Sequence, residues 1–121
     1  MPDQELINNP TYAQAAKVFK IYYPKLLICT NVKVDPWYMS QSSQWKHIKG
    51  NKELIVFIET YFTPLFEQMQ RNVCDSINES EDLEFKKDAL NTLMLIGKLI
   101  DNLQDKSFKE NLCKELKFYY M

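Results

Sequence analysis

Two glycines in 121 residues leave almost none of the positive-φ positions that hairpins, β-bulges and phosphate-cradling loops consume. That shortage argues against an all-β fold and against a nucleotide-loop protein. Histidine occurs once, at His47, so any histidine-based general base or metal centre would rest on a single residue. The three cysteines, Cys29, Cys74 and Cys113, have no paired spacing and no second histidine to join, which excludes a zinc site. An odd cysteine count behind a start without a basic segment or an apolar stretch reads as reduced thiols in a cytoplasmic or nuclear protein. No apolar run reaches the ~18 residues of a membrane span. Arginine is limited to Arg71 among 15 basic residues, and bidentate recognition of phosphate or guanine prefers Arg, so a nucleic-acid partner is disfavoured.

What is present is core material. Leu, Ile, Val and Phe supply 34 of the 121 residues, and the net charge is only -1. A chain of this size and composition folds as one domain, 1–121. Asn9-Pro10 starts a helix by its chemistry, an Asn cap with Pro at the first helical position. Tyr12, Ala15, Phe19 and Tyr22 then recur at helical spacing, predicting a helix from about 10 to 30 kinked at Pro24. Val32 to Gly50 lacks a clean period; Asp35-Pro36 could open a short helix that places Trp37 and Trp45 near one face. Lys52 to Ile77 carries an unbroken three-to-four stripe from Leu54 to Ile77, with Pro64 as a second kink site. A further helix, capped by Ser80, runs to about Leu103. Gly97 within it marks close packing against a neighbour. Ser107-Phe108-Lys109-Glu110 fits a capping box and opens the last helix, with Lys106, Lys109 and Lys117 on its solvent side.

The two proline sites are related by a constant offset. Ile21-Tyr22-Tyr23-Pro24-Lys25-Leu26 and Tyr61-Phe62-Thr63-Pro64-Leu65-Phe66 align 40 residues apart, aromatic before proline and apolar after it, within the ~40 to 47 period of two-helix repeats. Thr63-Pro64-Leu65-Phe66-Glu67-Gln68-Met69, a polar acidic turn, and Phe85-Lys86-Lys87-Asp88-Ala89-Leu90-Asn91-Thr92-Leu93 together resemble a HEAT repeat. The usual Asp followed by Val-Arg is absent from the turn. The resemblance covers about Asn51 to Leu103 and implies a protein-binding scaffold, such as a transport receptor, without chemistry of its own.

Enzyme constellations are sparse. His47 has no adjacent carboxylate, and Glu81, Asp82 and Glu84 sit where a helix dipole stabilises negative charge. Cys113 lies beyond the first helical turn and reads as a buried thiol. No cofactor is implied, and no catalytic or metal residue is assigned. Sixteen aromatic rings exceed what a small helical core easily buries. Trp37, Tyr38 and Trp45, together with Phe118, Tyr119 and Tyr120 near the C-terminal end, are therefore the expected contact residues for a protein partner. The whole predicts an all-α protein of four to five helices, as stacked HEAT-like hairpins in preference to a closed helical bundle. Two-helix units fall at about 10–50 and 51–103, with a terminal helix at 107–121. The expected role is a protein-interaction module or scaffold segment. The alternative is a small self-contained regulator or inhibitor of viral or phage type, with a small helical enzyme behind it.

Overall fold

The computed structural model describes residues 2–29, 37–41, 44–48 and 50–121. Its helices are α1 (Pro2–Asn8), α2 (Tyr12–Tyr22), α3 (Lys52–Phe57), α4 (Thr63–Glu79), α5 (Leu83–Gln104) and α6 (Lys106–Tyr119). A π-helical turn, Ile58–Phe62, joins α3 to α4 without a break. The predicted helix kinked at Pro24 is corrected. Tyr23 leaves the helix at φ -129 and ψ 59, as the residue before proline tends to, and the chain continues into a strand.

That strand belongs to the second correction, a small antiparallel sheet where an all-α chain was expected. β1 (Leu27–Cys29), β2 (Trp37–Gln41) and β3 (Gln44–His47) lie in that order. Cys29 pairs with Trp37, and Tyr38 pairs with Ile28 on one side and His47 on the other. Leu27, Cys29, Trp37 and Met39 point into the core, while Ile28 and Tyr38 alternate outward. The described residues between 10 and 50 thus contribute one helix and a sheet, whereas α4 and α5 form a helical hairpin. The Asp35-Pro36 helix start lies outside the described residues.

Local chemistry sets the remaining boundaries. Thr11, not Asn9, caps α2, accepting from the Gln14 amide at 3.2 Å. Asp82 caps α5 through the amides of Glu84 and Phe85, and Ser80 instead accepts from the Asp82 amide. Asp105 caps α6 by accepting from the Phe108 amide, which leaves Ser107 inside the helix. Pro64 produces a π turn where a kink was expected. A proline there has no amide to donate and crowds the carbonyl four residues back. The Thr63 amide accordingly reaches Ile58, five residues back. The short α1 has no apolar period long enough to announce it, though Leu6 and Ile7 are buried.

α2 packs on α6 and α4 on α5, with α1 lying across α2 and α5. Phe19 sits between them, its ring centroid 4.8 Å from Tyr23, 5.1 Å from Phe62, 5.9 Å from Phe57 and 6.4 Å from Tyr120. Tyr120 donates its hydroxyl to the Tyr23 carbonyl at 2.6 Å, and its own carbonyl accepts from the Cys29 amide at 2.9 Å. Lys109, expected on the solvent side, is buried and pairs with Glu59 in the π turn at 2.6 Å.

Two substitutions test this packing. A methyl group at Gly97 meets only the Gln70 side-chain nitrogen, at an ordinary 3.7 Å, so glycine is not required there. Gly97→Ala raises stability by about 0.5–1 kcal/mol, seen as a higher denaturant midpoint at unchanged slope. Glu59→Ala strands the buried Lys109 ammonium. Because Glu59 is half exposed, the loss falls below the ~3–5 kcal/mol of a fully buried pair, and adding Lys109→Met recovers most of it.

Candidate functional site

The six residues expected to touch a partner separate in space. Trp37 is 0% exposed and Tyr120 4%, with ring centroids 6.5 Å apart, so both are corrected from contact residues to core. They close the seam between the sheet and the end of α6, and the Trp37 indole nitrogen is buried there without an acceptor among the described residues. Trp45 is 49% exposed and Tyr38 is exposed beside it. Antiparallel register sets Tyr38 opposite His47 and Ser40 opposite Trp45, which places these side chains on the outer face of the sheet with Ile28. The Tyr38 and His47 rings are 5.1 Å apart. Phe118, at 68%, and Tyr119 are exposed on the last turn of α6. Trp37 and Trp45 face opposite ways because strand side chains alternate.

An apolar concavity lies where no residue was nominated. Along α5, Phe85, Asp88, Ala89, Thr92 and Ile96 recur at three-to-four spacing; along α4, Met69, Asn72, Val73 and Ser76 do the same. These rows face each other across an apolar trough. At its inner end, α1 contributes Asp3, Gln4 and Ile7 around a cavity of about 460 Å³. Beyond α1, a second cavity of about 320 Å³ continues between Val73 and Phe85. Both share Asn72, Val73 and Thr92, so they form one channel. Its outer mouth adjoins Glu79, Ser80 and Asp82 at the α4–α5 turn. From Phe85 to Ile96 the channel follows α5 for ~16 Å, at 1.5 Å per residue. On the opposite side of α5, Leu83, Leu90 and Met94 form a separate exposed stripe. The signal for the trough was in the sequence, as the polar Asn72, Ser76, Asp88 and Thr92 set at helical spacing beside an apolar stripe.

Two titratable groups meet at the inner end of the trough. The Tyr22 hydroxyl donates to Asp3 at 2.8 Å. Burial first, and that bond second, push its pKa up to about 12. Asp3 is thereby fixed on the trough rim. No group of three or more His, Cys, Asp or Glu is placed to hold a metal ion among the described residues. Nor is any helix among them long and apolar enough to cross a membrane. No protein-family model matches the chain, and no curated protein matches it.

Burial pushes the Cys113 thiol from 9.0 up to about 12, and burial likewise raises the Tyr120 hydroxyl. Both groups are neutral below their unfolded-state pKa values, so their contribution is complete there and is lost as pH climbs toward the folded values. Stability against urea is expected to fall from about pH 9 toward about pH 12, the range of the Cys113 shift. Cys113→Ala should flatten part of that fall. A profile flat to pH 12 in the parent chain would contradict the burial of both groups.

Proposed function

We propose that the chain is a non-catalytic protein-interaction module whose working surface is the trough between α4 and α5. The observation that carries this reading is an apolar channel lined at three-to-four spacing by two adjacent helices, the shape used when a partner helix is laid into a groove. Small-molecule sites enclose most of their ligand, and an open-sided channel three helical turns long is poorly suited to that. Exposed Tyr38, Trp45, Phe118 and Tyr119 add rings of the type that dominate interface energies. A single helical hairpin beside a sheet favours a self-contained binding module over one unit of a longer HEAT-like scaffold.

The test is a photo-crosslinking side chain at position 72, on the trough wall, in cells that express the chain. The expected outcome is a recurrent polypeptide adduct that disappears when Val73→Asp is added, with helicity unchanged by circular dichroism. Adducts confined to small molecules, no adduct, or the same polypeptide captured by the Val73→Asp chain would each overturn the assignment.

A further inference from the structure

The trough differs from an ordinary apolar groove in the sign of its rim. Asp3, Glu79, Asp82 and Asp88 border its two cavities and outer mouth, and no Lys or Arg lines any of the three. The surrounding hairpin has the same bias: Asp75, Glu79, Glu81, Asp82, Glu84 and Asp88 fall between positions 75 and 88, against Lys86 and Lys87 alone. The last turn of α4 carries no basic residue to offset the negative end of its dipole, while the positive end of α5 at the same turn is met by Asp82 and Glu84. We infer that the trough receives a basic amphipathic helix, its apolar face on Val73 and Ala89 and its Lys or Arg side chains on the acidic rim. This inference rests on the interaction reading and adds the chemistry of the partner.

Three features favour that occupant. α1 packs against α5 at the inner end of the same channel, contributing Ile7 to its wall, so this side of α5 already takes one helix. The ~16 Å beyond and alongside it matches about three turns of helix. Asp3 is held in place by Tyr22 and Asp82 by the α5 amides, so two of the rim charges are pre-positioned and lose little freedom on binding. A nucleic-acid strand or an anionic membrane would be repelled by the same rim. The lysines of α6 cannot serve from a second copy while that helix keeps Leu112, Cys113 and Leu116 in its own core.

The experiment uses the full chain and two designed peptides of about 18 residues, long enough for measurable helicity. Both carry the same leucine face; one has Lys at its exposed positions and the other Glu. Fluorescence anisotropy should show the Lys peptide binding at least about tenfold more tightly than the Glu peptide, and more weakly at high salt. Amide exchange should slow at Val73, Ala89 and Thr92. Glu79→Lys and Asp88→Lys, made separately so that one misfolded variant does not decide the matter, should each reduce affinity for the Lys peptide. Equal or tighter binding of the Glu peptide overturns the basic partner and leaves the interaction reading standing. Absence of binding by both peptides while position 72 still captures a polypeptide does the same. Protection on the sheet face in place of the trough overturns the site, and concentration-dependent dimerisation that protects the trough without peptide identifies a second copy as its occupant.

Discussion

The contacts of one ring, Phe19, reach most of the molecule. Its ring meets Tyr23 just past the end of α2, Phe57 before the π turn and Phe62 at its end, and Tyr120 beyond α6. Tyr120 in turn meets Trp37 on the sheet. Most of these pairs are edge-to-face, an arrangement worth about 0.5–1.5 kcal/mol each beyond the area they bury. The rings join α2, the π turn, the end of α6 and the sheet at one place. Part of the aromatic surplus that suggested a binding surface is thus the material of this junction. Other rings remain exposed, among them Tyr38 and Trp45 on the sheet face and Phe118 and Tyr119 at the end of α6.

How far the sequence discloses the fold follows from element length. α4, α5 and α6 were legible because an apolar stripe sustained over three or more turns matches the helical period and no strand period. The sheet was not. β1 has three residues and β3 has four, all exposed in β3, so no apolar alternation builds up. Trp37, Tyr38 and Met39 do alternate inward and outward, but three residues cannot outweigh a competing helical reading of Trp37 and Trp45. Gly scarcity misled in the same direction, since sheets this small need few turns. Lys109 was misplaced because its partner, Glu59, is fifty residues away and brought near only by the fold. Among the residues expected to touch a partner, Tyr38, Trp45, Phe118 and Tyr119 lie at the surface, while Trp37 and Tyr120 were not separable from them by residue type.

The trough arises from unequal lengths. α4 and α5 run 17 and 22 residues, and α1, which packs on α5 at the channel's inner end, has 7. A hairpin outreaching its third helix must leave apolar side chains without cover along the overhang. In most small domains such an overhang is trimmed or made polar. Here it is bordered by carboxylates, two of which also cap or tie helices. On the proposed reading, the same charges oppose indiscriminate association and select what can lie against the uncovered side chains.

The π turn sets the rotational phase of that overhang. A turn closed five residues back in place of four holds one residue more than an α-helix would, and each residue turns a helix by about 100°. The wide turn absorbs that extra residue, so α3 and α4 keep the phase of one continuous rod. Were the same residues to close as uninterrupted α-helix, Met69 and Val73 would swing by about that angle relative to Leu54, away from α5. One rod can therefore serve both the aromatic junction and the channel only while this turn stays wide.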